Sequence, residues 1–226
     1  MTSSTMKRAR LMLWVTIALV LPVLVTVAGR ASASACFGGT PGWTGTGGAD
    51  SKTGTSSAQY WDGAGGSDYL DSLGGNDDIC GGGGSDNIDL GPNDDRSHGE
   101  DAGDSIYGEG GIDDVLGNDG DDIIWAGSQD DDASGNNDDD EIYGEDGDDE
   151  LNGGPGNDSP IDGGHDTDIL HGNGGADWVF GGPGNNDQVY GDEDDDFLFG
   201  GSGTGDGCFG GTGLDVIDNP SCEYGT

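Results

Sequence analysis

Basic residues are scarce: six Lys plus Arg stand against 46 Asp plus Glu in 226 residues, a formal charge of −40. Nucleic acid and anionic membranes are held by basic patches, so neither fits as a partner. Apolar residues are also few, at 31%, and many of them sit in one N-terminal run. Too little remains for the packed interior of an ordinary globular enzyme. The four cysteines form no Cys-X-X-Cys pair and no Cys/His cluster of zinc spacing, which argues against zinc. No EF-hand loop with a closing Glu occurs. No Ser or Cys nucleophile motif accompanies His98, His165 and His171, which read as solvated side chains rather than catalysts. Gly205-X-Gly207-X-X-Gly210 fits a dinucleotide fingerprint, but no strand–helix unit surrounds it, and 50 glycines produce such spacings by chance. Two classes remain: a disordered acidic chain, or a non-enzymatic fold whose stability comes from bound cations.

The N-terminus reads as an export signal over residues 1–35. Lys7, Arg8 and Arg10 precede an apolar run from Leu11 to Ala28, and Ala33-Ser34-Ala35 gives the small-X-small pattern of a cleavage site before Cys36. An uncleaved membrane anchor is the alternative, since about 18 apolar residues nearly span a bilayer; Pro22 and the small-residue exit argue against it. A lipid anchor through Cys36 is a third reading, for which Ala33 stands where Leu is usual. With the signal removed, 46 acids face only Lys52 and Arg96, and no membrane partner is expected of this extracellular chain. Four cysteines in an exported chain suggest two disulfides among three pairings. Cys36–Cys80 with Cys208–Cys222 is the pairing that would staple both ends.

What the sequence does have is a beat of nine residues. From Gly63 to Asn152 ten units follow without a slip, among them GGGGSDNID and GNDGDDIIW, and seven more reach Asp218. The units starting at Gly153, Gly181 and Gly200 each carry one extra residue. The first six positions are rich in Gly, Asn, Asp and Ser, which tolerate positive φ and favour turns. The last three form a short strand whose eighth residue points opposite to the seventh and ninth. That eighth residue is usually aliphatic, as at Leu70, Ile79, Ile88, Ile106, Val115, Ile124, Ile142 and Leu151. Two units make one coil of 18 residues. Stacked coils about 4.8 Å apart bury the eighth positions between two parallel sheets. The expected fold is therefore all-β, a parallel β-roll of about 17 units, roughly 40 Å long.

The sixth position is acidic at Asp68, Asp77, Asp86, Asp95, Asp104, Asp113, Asp122, Asp131, Asp140, Asp149, Asp158, Asp168, Asp177, Asp196 and Asp215, with Asp187 and Asp206 as equivalents in two lengthened units. Stacking aligns alternate members along two edges. Bare carboxylates about 5 Å apart repel by roughly 1–3 kcal/mol per pair. A cation between successive turns converts them into ligands, and Gly-rich turns free backbone carbonyls to join them. An all-oxygen set on flexible loops selects Ca²⁺, several ions in all, over Mg²⁺. Asp outnumbers Glu by 39 to 7, and the shorter side chain keeps its oxygens near the turn carbonyls. Without calcium, a disordered acidic polymer is the expected state.

Gly81-Gly82-Gly83-Gly84-Ser85-Asp86-Asn87-Ile88-Asp89 matches G-G-X-G-X-D-X-U-X throughout. The chain thus resembles the RTX, or haemolysin-type, calcium-binding nonapeptide repeats over residues 63–218. The resemblance implies a β-roll with Ca²⁺ between adjacent turns, held by turn carbonyls and the sixth-position Asp side chains named above. Residues 36–62 are then an N-terminal cap or linker, too short for a catalytic domain, and 219–226 a tail. Arg96 and Ser97 depart from the pattern, as do Ala133 at an eighth position and Glu, Asn or Asp at many second positions; weaker packing is expected around Ser97 and Ala133.

Ninth positions on one face include Tyr107, Trp125, Tyr143, Phe180 and Phe199, with a gap near Ile161. They are expected to form an aromatic ladder that stabilises neighbouring strands. The alternative is an adhesive surface for a glycan, another protein or a second copy of the chain. An ice-binding solenoid would need a regular Thr ladder, which is missing. The expected function is a secreted calcium-binding protein that folds on meeting extracellular Ca²⁺.

Overall fold

The computed structural model describes residues 36–218 and 221–225. The expected signal, 1–35, lies outside them. The chain divides into two compact units, 1–30 and 31–226, and every described residue belongs to the second. Among the described residues there are twenty strands and no helix. In chain order they are β1 (Trp43–Thr44), β2 (Ser51–Thr55), β3 (Tyr60–Asp62), β4 (Tyr69–Leu73), β5 (Asp78–Gly83), β6 (Asn87–Asp89), β7 (Arg96–Asp101), β8 (Ser105–Tyr107), β9 (Asp114–Asp119) and β10 (Ile123–Ser128). There follow β11 (Asp132–Asn137), β12 (Glu141–Asp146), β13 (Glu150–Pro155), β14 (Ile161–Asp162), β15 (Ile169–Gly174), β16 (Trp178–Phe180), β17 (Gln188–Glu193), β18 (Phe197–Phe199), β19 (Gly207–Phe209) and β20 (Val216–Ile217).

Odd-numbered strands form one ten-stranded sheet and even-numbered strands the other, all parallel and in sequence order. Each coil contributes one strand to each sheet. The step between paired residues is 18 in the first coils, as in Ile106↔Ile124↔Ile142. It becomes 19 wherever a pair spans a lengthened unit, as in Leu170↔Val189. Ile161 pairs with Ile142 and Val179, so the extra residue of unit 153–162 is absorbed before the strand and the inward column is preserved.

That column is the core. Leu70, Ile79, Ile88, Ile106, Val115, Ile124, Ile142, Leu151, Ile161, Leu170, Val179, Val189 and Leu198 are all fully buried. The departures also point inward. Ala133 sits between Val115 and Leu151, and Ser97 lies between Ile79 and Val115 with a buried hydroxyl that finds no partner. Arg96 points outward, pairs with Asp78 at 2.7 Å and lies over the Phe37 ring. Both expected disulfides are formed, Cys36–Cys80 and Cys208–Cys222.

The roll is longer than expected. Residues 36–62 carry β1, β2 and β3, which join the sheets in register as Trp43↔Trp61, Lys52↔Leu70 and Trp61↔Ile79. The phase of nine continues upstream through CFGGTPGWT, GTGGADSKT and GTSSAQYWD. Pro41 and Gln59 at sixth positions, and Lys52 at an eighth, disguise it.

Candidate metal centre

From β2 onward each loop between strands ends on its sixth-position residue, except that Ser159 and Pro160 follow Asp158 before β14, and the stack brings these residues into two files. One runs Asp50, Asp68, Asp86, Asp104, Asp122, Asp140, Asp158, Asp177, Asp196, Asp215; the other runs Gln59, Asp77, Asp95, Asp113, Asp131, Asp149, Asp168, Asp187, Asp206. All seventeen sequence-predicted residues are brought into line, including Asp187 and Asp206 from the lengthened units. Asp50 and Gln59 are further members that the sequence reading missed. All seventeen are buried except Asp215, which is half-buried.

A hydrogen bond ties each file together. The backbone N–H of one member donates to Oδ1 of the member one coil further on. The distance is 2.7 Å from Asp68 to Asp86 and 2.6 Å from Asp77 to Asp95. It lengthens to 3.2 Å from Asp196 to Asp215 and 3.3 Å from Asp187 to Asp206. The other oxygen is different. From Asp68 through Asp196, Oδ2 of every ladder Asp is buried and accepts no hydrogen bond.

The backbone beneath has its own regularity. In every nine-residue unit of unextended length from Gly63 onward, the second and fourth residues adopt positive φ, as in Asn118 (85°) and Gly120 (127°), or Asp192 (74°) and Asp194 (71°). Gly, Asn and Asp enter this left-handed region at low cost, and Glu100, Glu109 and Glu145 are held there too. Second-position Glu and Asn therefore keep the same turn as glycine. First positions are mostly glycine for another reason: a Cβ on Gly135 would run into the Asp140 carboxylate, although Leu90 is accommodated as a buried core residue.

Burial dominates the electrostatics. Desolvation pushes Asp95, Asp104, Asp140 and Asp168 up to about 8. Asp86, Asp113, Asp122, Asp131, Asp149, Asp158 and Asp196 rise to about 7. Asp177 and Asp187 rise to about 6. The N–H bond from the preceding coil opposes the rise, and neighbouring carboxylates in most cases add to it. An ionised carboxylate buried without a partner is costly, so it must take a proton or a cation. Rows of buried, unpartnered Oδ2 atoms beside Gly-rich turns could hold a hard, oxygen-seeking dication such as Ca²⁺.

One further cluster of ligand-type side chains among the described residues does not make a metal site. Cys36, His98 and Glu100 meet near the first coils, but the Cys36 sulfur is bonded to Cys80 and offers no thiolate. The histidines are less solvated than expected. Only His165 is well exposed, while His98 packs on Phe37 and His171 on Tyr190, with Nδ1 2.8 Å from Asp192.

The aromatic ladder forms with a gap. Tyr107, Trp125 and Tyr143 stack with ring planes within 9° of one another, and Phe180 stacks on Phe199. Asp162 occupies the ladder position between Tyr143 and Phe180. The ring faces are turned on one another. A second stack, His171, Tyr190 and Phe209, lies on the odd-numbered sheet.

A family model described as the RTX calcium-binding nonapeptide repeat, in four copies, matches residues 53–88, 62–97, 98–133, 125–160, 161–186 and 186–205. No curated protein and no solved structure matches the chain.

Proposed function

The chain belongs to the RTX calcium-binding nonapeptide repeat family, and on that premise we propose that it is a secreted, non-catalytic protein whose β-roll assembles on extracellular calcium. The observation that carries this reading is the unpartnered, buried Oδ2 of each ladder Asp from Asp68 through Asp196. Ions lying between successive coils would take these oxygens together with turn carbonyls. Asp68, Asp77, Asp86 and the later sixth-position residues through Asp215 are the proposed side-chain ligands. Binding and folding are then one event. Calcium is scarce in the cytoplasm and plentiful outside, so the chain would cross the membrane unfolded.

Residues 1–35 would direct export. The commitment of the Cys36 sulfur to Cys80 favours release over a lipid anchor, which needs that same sulfur. The stacked ring faces of Tyr107, Trp125 and Tyr143 favour a stabilising role for the ladder over adhesion.

The test is a calcium titration of the purified chain followed by circular dichroism, with bound ions counted by native mass spectrometry. Strand signal should appear with calcium and vanish in chelator. Equal strand content in chelator and in millimolar calcium would falsify the reading.

A further inference from the structure

The first coil is built differently from those stacked on it. In its two loops, 45–50 and 54–59, neither the second nor the fourth residue adopts positive φ: Thr46, Gly48, Thr55 and Ser57 all stay outside the left-handed region. From Ala64 (70°) and Gly66 (115°) the left-handed pattern begins, and it holds in every unextended unit that follows. The change falls between residues 57 and 64.

The polar atoms divide at the same place. Asp50 Oδ2 is satisfied inside its own loop, accepting from the Thr46 N–H at 2.6 Å and the Thr46 hydroxyl at 2.8 Å. On the other edge the position belongs to Gln59. Its Oε1 accepts from the Thr55 N–H at 3.1 Å, while Nε2 donates to the carbonyls of Thr55 (3.3 Å) and Ser57 and to Asp77 Oδ1 (3.2 Å). An amide N–H₂ thus faces two turn carbonyls and the next coil's carboxylate. Those are the kinds of oxygen a cation would gather in a later loop.

Other contacts hold this end without metal. The Cys36–Cys80 disulfide ties the segment ahead of β1 to β5. Trp43 and Trp61 pack edge to face, and the Lys52 ammonium lies 5.9 and 5.5 Å from their rings. Phe37 packs on Tyr60 and His98.

We propose that loops 45–50 and 54–59 bind no calcium, and that the first coil is a metal-independent cap whose exposed register templates the calcium-dependent coils after it. The proposal rests on the calcium reading of the later loops. It accounts for a problem that reading leaves: in a stack whose coils contact only their neighbours, the end coil lacks one partner and needs a cap.

Hydrogen exchange on the intact chain, in chelator and in calcium, tests it. In chelator, amides of 42–62 should exchange at least about tenfold more slowly than those of 86–217. Calcium should slow the latter strongly and change the former little. A second measurement uses Gln59→Glu, which keeps the side chain's size but places an oxygen where an N–H₂ group faced carbonyls. Its first-coil protection in chelator should be lost, and native mass spectrometry should count one more calcium than in the parent chain. Equal exchange of both regions in chelator, or an unchanged ion count together with unchanged protection in Gln59→Glu, would overturn the proposal. Failure of the calcium reading looks different: protection of 86–217 would then be indifferent to calcium.

Discussion

Residues 43–62 and residues 63–217 share one register, one strand spacing and one core column, yet they solve the same electrostatic problem in different ways. The first coil closes its loops with its own side chains, Asp50 on Thr46 and Gln59 on Thr55 and Ser57. Its β3 pairs with β5, which carries Cys80 of the Cys36–Cys80 disulfide, and Trp43 packs on Trp61. The later coils turn carboxylates inward and leave half of their oxygens unanswered. A repeat can therefore keep its strand register while changing its loop backbone and what neutralises it. Position in the stack decides which device is used.

The largest way to sharpen this contrast is pH. In the metal-free roll the ladder carboxylates from Asp86 through Asp196 stand between about 6, at Asp177 and Asp187, and about 8, at Asp104 and Asp140, against about 4 in an unfolded chain. The folded form then holds more protons than the unfolded form between these limits. Its stability is fully present below about pH 4 and is lost as pH rises through the folded values. In chelator, acidification should therefore restore strand signal to the later coils, read by circular dichroism. With calcium present the sign reverses, because protons compete for the same oxygens and the calcium midpoint should rise as pH falls from about 8 to 6. The first coil's Gln59 has no proton to exchange in this range.

Next is covalent support. Cys36→Ser should remove about 2–4 kcal/mol from the first coils. The loss should be seen as faster exchange of Tyr60–Asp62 in chelator, with a smaller effect on coils beyond Asp104. Equal losses throughout would mean that the two regions are not separate.

The smallest effect is a matched pair of glycines, both at the fourth position of a unit. Gly120 has φ of 127°, and a side chain there would press on the Ala102 backbone one coil earlier. Gly120→Ala should cost about 1–3 kcal/mol and raise the calcium midpoint. Gly48 lies outside the left-handed region and has open space around it, so Gly48→Ala should change neither stability nor calcium response.

Much of this was legible in the chain. Asp at one phase of nine and aliphatics two positions later gave the two files, the parallel sheets and the core. The upstream units were hidden because Gln59, Lys52 and Pro41 break the residue pattern without breaking the phase. Ile161 escaped notice in the core column because one extra residue in its unit moves it off the count, and the loop absorbs the difference. The left-handed second and fourth positions are blurred in sequence, since Glu, Asn, Gln and Asp share them with Gly. Which carboxylate oxygen is paired depends on contacts one coil away, and composition does not encode that. His171 looked solvated because its partners, Tyr190 and Asp192, lie about one coil further along the chain.

The ladder bonds all run one way: each amide serves the carboxylate of the following coil, as from Asp86 to Asp104 and on to Asp122. Any interior coil thus arrives with the acceptor its predecessor needs and the donor its successor needs. Duplicating or deleting one leaves no chemical scar, so the length of such a protein can drift over generations by whole coils. The opening coil donates to its successor in the same way, but its Asp50 and Gln59 side chains serve their own loops, so it is not interchangeable with the interior coils.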